Sequence, residues 1–143
     1  MDDPYAVDRR GFLKTGAVAA AAAASACGRP ASRWRVLSED EAATLGAACD
    51  RIVPPDEDPG ASQAGVVSFI DRQLATRQKK SLAAWQAGVR ALDATARRRH
   101  GRRFAELLPG PQDEILQAMQ EGSVYMADWQ EVDPTEFFHL LHG

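Results

Sequence analysis

The sequence predicts an all-α fold: a small domain of about five helices joined by long loops, preceded by a cleavable N-terminal signal. Three observations lead there. Apolar residues recur at helical spacing in separate stretches, helix caps and stops fall at their ends, and no period-two run of β-branched residues bounded by turns occurs. The chain has 143 residues, 26% of them charged, and a formal net charge of −3. That composition fits one folded domain. Residues 28–143 alone are enough for a single core, since domains near that size bury roughly two thirds of their unfolded surface.

The first helix is expected after Ser38, which with Glu41 three residues on forms a capping box. Leu45, Ala48, Cys49, Ile52 and Val53 give its apolar face, and Pro54-Pro55 stops it. A proline and glycine loop follows over residues 56–61. A second helix is expected from Ser62, with Val66, Val67, Phe69, Ile70 and Leu74, and a third from Ser81, with Leu82, Trp85, Val89, Leu92 and Ala96 on one face. Gly101 is placed to end it. Pro109-Gly110-Pro111 reads as a break before a short fourth helix carrying Ile115, Leu116 and Met119, which Gly122 ends. Asp133-Pro134-Thr135-Glu136 opens the last helix, with aspartate as cap and proline in the first turn.

Residues 1–27 are read as an export address, residues 28–37 as a polar linker and residues 38–143 as the helical domain. Arg9 and Arg10 stand side by side, Phe12, Leu13 and Lys14 follow, and residues 15–26 carry no charge. This is the twin-arginine signal pattern, although Asp8 stands where serine or threonine is usual. The uncharged stretch is mostly alanine and falls short of the roughly 20 apolar residues that span a bilayer. Ala24-Ser25-Ala26 is a small-residue cleavage site, and Cys27 after it also resembles a lipoprotein box. Simple cleavage, lipidation at Cys27 and an uncleaved signal all stand. Cys49 is then either a buried small hydrophobe or a bridge to another chain.

Charge is sorted along the chain: residues 28–71 carry −4, residues 72–103 carry +9 and residues 104–143 carry −8. The blocks can satisfy each other or a partner. The basic run over residues 97–103 would suggest nucleic acid inside a cell, but export puts nucleic acid out of reach, and the aromatics that stack bases are missing around it. No Gly-rich phosphate loop, haem attachment motif, H-E-x-x-H or G-x-S-x-G occurs. Two cysteines are too few for an iron–sulfur cluster. Asp56-Glu57-Asp58 offers hard oxygens, but Pro59 and Gly60 make it an exposed turn and not the closed loop a calcium site needs. His100, His139 and His142 are too scattered for a metal centre. The chain is therefore expected to carry no catalytic, cofactor or metal site of its own.

Taken in order, the twin-arginine leader, Ala48-Cys49-Asp50-Arg51-Ile52-Val53-Pro54, Pro59-Gly60-Ala61, Gly65-Val66-Val67 and Phe69-Ile70-Asp71-Arg72-Gln73-Leu74 resemble the gluconate 2-dehydrogenase subunit 3 family. Gly88-Val89-Arg90-Ala91-Leu92-Asp93, His100-Gly101, Phe104-Ala105-Glu106-Leu107, Gln112, Glu121-Gly122 and Phe137-Phe138 extend the likeness over the whole chain. Members commonly continue past the Phe-Phe segment into an aromatic, Asp-Pro tail, whereas this sequence stops at His142-Gly143. The resemblance implies the small subunit of a membrane-associated dehydrogenase, facing the periplasm. A large subunit would bind FAD and oxidise a sugar or sugar acid, and a cytochrome c subunit would take the electrons. The small chain would help fold the large one and escort it through the twin-arginine translocase. Trp85, Arg98, Arg99, Phe137, Phe138 and Cys49 are the residues expected at the partner interface, with Trp34 as an exposed linker aromatic. The alternative is a stand-alone exported helical binding lipoprotein tethered through Cys27.

Overall fold

A computed structural model of the chain describes residues 31–143. Five α-helices follow one another: α1 (Glu39–Ile52), α2 (Val66–Ala75), α3 (Leu82–His100), α4 (Pro109–Gln120) and α5 (Pro134–His142). Short 3₁₀ turns at Lys79–Ser81, Phe104–Glu106 and Met126–Asp128 shape the connections. Among the described residues there is no strand.

The ends of these helices follow from local chemistry. Glu41 N–H donates to Ser38 Oγ at 3.1 Å, and the Glu41 carboxylate accepts from Ser38 N–H at 2.8 Å, the reciprocal box the sequence announces. Asp133 Oδ1 accepts from the Thr135 and Glu136 N–H groups at 2.9 and 3.0 Å, capping α5. At the end of α4, Ser123 N–H donates to Ala118 O at 2.8 Å and Gly122 N–H to Met119 O at 3.1 Å. Gly122 sits at φ +67°, which completes a Schellman stop.

Three boundaries differ from the sequence expectation. α4 begins at Pro109, so the Pro-Gly-Pro segment is its first turn and not a break before it. The first-turn amides of a helix have no partner within it, so proline there forfeits nothing. α2 begins at Val66; residues 61–65 form a turn that Gly65 leaves at φ +83°. The expected linker is, at its C-terminal end, part of the domain. Asp71 on α2 accepts from the N–H groups of Arg35, Val36 and Leu37 at 2.8, 3.0 and 3.1 Å, and Leu37 is buried.

The core gathers Leu45 from α1, Leu74 from α2, Val89 and Leu92 from α3, Phe104, Ile115 and Met119 from α4 and its approach, and Phe137 from α5. Phe137 has no exposed surface and lies between Trp85, edge-on at 5.9 Å between ring centroids, and Trp129 at 6.1 Å. Gly88 leaves the space the Phe137 ring fills. Two buried polar side chains are paired, Trp129 Nε1–H donating to Thr95 Oγ1 at 3.0 Å and Gln112 Nε2–H to Phe104 O at 2.9 Å, whereas the buried Arg103 Nε has no hydrogen-bond partner among the described residues.

Candidate functional site

Two steps of the fold build an apolar concave surface. α1 ends at Pro54-Pro55, and the loop over residues 54–61 folds back so that Ala61 N–H donates to Val53 O at 3.0 Å. Gly60 in that loop presses against Pro55, where a Cβ would collide with the proline ring. α2 then runs alongside, and α5 closes the opposite wall. Between them lies a groove of about 590 Å³. Cys49, Ala61 and Trp85 contribute to its lining together with Val66, Phe69 and Ile70 of α2 and Leu140 and Leu141 of α5. Val53 (54% exposed), Phe69 (53%) and Leu140 (41%) are apolar side chains left in solvent on this one groove. Exposed apolar clusters of this kind mark interaction surfaces.

The sequence-predicted interface residues fall into two groups. Trp85, Phe137 and Phe138 are core residues, which corrects their reading as a docking surface. Only the edge of Trp85 reaches the groove wall. Trp85, on the apolar face of α3, packs edge-on against Phe137 of α5. Trp34 is half-buried; its Nε1–H donates to Glu39 Oε2 at 3.0 Å and the Arg33 guanidinium stacks 4.5 Å from its ring centroid.

Arg98 and Arg99 lie on the surface of the last turn of α3, where cations favour the helix dipole. Arg98 forks onto Asp128 at 2.7 and 2.9 Å and stacks over Tyr125 at 4.1 Å. That contact holds the Asp128 carboxyl below its usual value. Arg90–Glu131 and Arg103–Asp40 pairs join it, so the basic middle block is partly satisfied within the chain. Arg97, Arg99 and Arg102, and on the other side Arg72, Arg77, Lys79 and Lys80, make no ion pair among the described residues.

Cys49 is buried, and burial, helped by nearby Asp50, pushes its thiol up to about 11. Such a thiol stays protonated and unreactive at neutral pH. Cys49 is therefore expected to react with a water-soluble disulfide reagent at least about tenfold more slowly in the native protein than in denaturant, as a thiol-release time course would show. Equal rates would mean that the base of the groove is open to solvent.

One buried carboxylate and one partly buried one escaped the sequence reading. Asp71 is described above; Asp93 Oδ1 accepts from Thr44 Oγ1 and Phe104 N–H, both at 3.0 Å, joining α1, α3 and the approach to α4. Arg103 Nε lies 3.7 Å from the other Asp93 oxygen. A signal was present in the spacing. Asp71 stands four residues after Val67 and three before Leu74, and Asp93 four after Val89 and three before Ala96, so each falls on a buried stripe. These are structural carboxylates, each occupied by the backbone or side chains it organises.

Among the described residues, no three of His, Cys, Asp and Glu approach closely enough to hold a metal ion, and no helix is long and apolar enough to cross a membrane. Asp56-Glu57-Asp58 is a self-closed surface loop, with Asp58 N–H donating to Asp56 Oδ1 at 2.9 Å. The leader residues Arg9, Arg10, Phe12, Leu13, Lys14, Ala24, Ala26 and Cys27 lie outside the described residues.

The helical domain holds Asp71 and Asp93 in structural bonds and presents an apolar groove beside α2. Residues 39–143 match the family model described as gluconate 2-dehydrogenase subunit 3, and the chain belongs to that family. The family name makes it one subunit of a multi-subunit dehydrogenase. Searches of curated proteins and of solved structures returned no match.

Proposed function

We propose that this chain is the non-catalytic small subunit of a membrane-associated, FAD-dependent gluconate or sugar dehydrogenase, and that it assists folding and twin-arginine export of the flavin-bearing large subunit. The match of residues 39–143 to the subunit 3 family carries this reading. Two features support it. The sequence pairs Arg9 and Arg10 ahead of an uncharged alanine run, and the domain offers an apolar groove. FAD then belongs to the large subunit, a cytochrome c subunit receives the electrons, and the assembly works on the periplasmic face of the inner membrane.

The test is co-expression with the neighbouring reading frames, affinity purification from the periplasmic fraction and a flavin absorbance spectrum. A larger flavin-bearing protein is expected to co-purify and to disappear from the periplasm in the Arg9→Lys/Arg10→Lys variant. A lone chain without flavin, acylated at Cys27, would replace this reading with a tethered binding lipoprotein.

A further inference from the structure

We infer that the groove beside α2 seats an amphipathic helix of the flavin-binding subunit, with the N-terminal end of that helix toward Asp56-Glu57-Asp58 and its C-terminal end toward Arg77, Lys79 and Lys80. The inference rests on the accessory-subunit reading and adds to it the place and polarity of the contact.

Shape comes first. The groove has two helical walls, α2 with Val66, Phe69 and Ile70 and α5 with Leu140 and Leu141. α2 has ten residues, roughly 15 Å at 1.5 Å per residue. That length accepts a partner helix of two to three turns, with apolar anchors at i, i+3 or i+4, and i+7. A second copy of this chain meeting the groove across a two-fold axis would oppose it with its own groove, concavity against concavity.

Charge sets the direction. The acidic loop lies between Val53 and Ala61, both of which line the groove at the start of α2. Arg77 and Lys79 flank Gln78, which lines it beyond the end of α2. All six of Asp56, Glu57, Asp58, Arg77, Lys79 and Lys80 are exposed, and none makes an ion pair among the described residues. A helix carries partial positive charge at its N-terminus and partial negative charge at its C-terminus. Laid along α2 in the stated direction, both of its ends meet opposite charge; reversed, both meet like charge.

The test uses the full chain co-expressed with its flavin-binding partner and reads captured flavin per small subunit. Phe69→Asp/Leu140→Asp is expected to lower capture by at least about tenfold, the effect of losing apolar anchors from an interface. Lys79→Glu/Lys80→Glu is expected to lower it severalfold at low salt, with the difference from wild type shrinking as salt screens the charges. Leu108→Asp, at an exposed residue outside the groove, should leave capture unchanged. Melting of each purified variant within about 5 °C of the wild type shows that folding is intact. Full capture by both groove variants, beside normal capture by the wild type, overturns the groove assignment and leaves the accessory role standing. A wild-type dimer in light scattering that Phe69→Asp/Leu140→Asp dissociates gives the groove to a second copy and overturns it too. A wild-type chain that captures no flavin beside a soluble partner overturns the accessory reading, and the groove assignment with it.

Discussion

Gly88→Ala is expected to destabilise the domain by about 2 kcal/mol, net of a helix-propensity gain of about 1 kcal/mol that the same change gives at an open helical site. The sign is the diagnostic part. Gly88 lies in the interior of α3, where glycine is a poor choice for a helix, and a Cβ there would overlap the ring of Phe137. The ring cannot step aside, because Trp85 and Trp129 flank it and none of it reaches solvent. Overpacking of this kind forces off-rotamer side chains or a shift of α5. Thermal melting should show a fall of about 8 °C for a domain of this size. Gly88→Ala/Phe137→Leu should recover part of that loss relative to the sum of the two single changes, since the smaller side chain makes room for the methyl group. A melting temperature at or above the wild type for Gly88→Ala would mean that α5 does not pack on α3 as described.

Asp71→Ala is expected to cost about 3 kcal/mol at neutral pH. One carboxylate serves three backbone N–H groups, and hydrogen bonds to a charged group each contribute roughly 1.5–3 kcal/mol before the loss is shared among partners that can turn to water. Burial opposes ionisation of Asp71, but the three N–H bonds outweigh it and hold its carboxyl below the usual carboxylate value. A depressed native pKa means that the unfolded chain takes up a proton first as the pH falls. The stabilisation is therefore complete above the unfolded value of about 3.9 and drains away as the pH drops through the native one. Urea unfolding at pH 7 and at successively lower pH measures this. The gap between wild type and Asp71→Asn should be widest at neutral pH and narrow on acidification. A gap that stays constant with pH would show that the carboxylate charge is not what secures residues 35–37.

What was legible in the sequence is what the chain decides locally. Ser38 with Glu41, Gly101 after the third helix and Asp133-Pro134 before the last each act within one turn, so their meaning is the same in isolation and in the fold. Pro109 was misplaced because proline has two opposite uses, as a stop in a helix interior and as a good first-turn residue, and spacing alone favoured the first. Trp85, Phe137 and Phe138 were misassigned for a longer-range reason. An apolar stripe looks identical whether its complement is another helix of the same chain or another protein, and only the placement of α5 on α3 distinguishes them. The groove has no counterpart in any single stretch. Its walls come from residues near 50, near 70 and near 140, so it exists only once the chain has folded.

The pairing of Gly88 with Phe137 also orders events during synthesis. Gly88 is made 49 residues before Phe137, the ring that fills the space beside it. Until then α3 has an open slot at Gly88, and the core closes only after residues 134–138 have emerged. Closure of the core thus waits for α5 and cannot proceed helix by helix as the chain emerges.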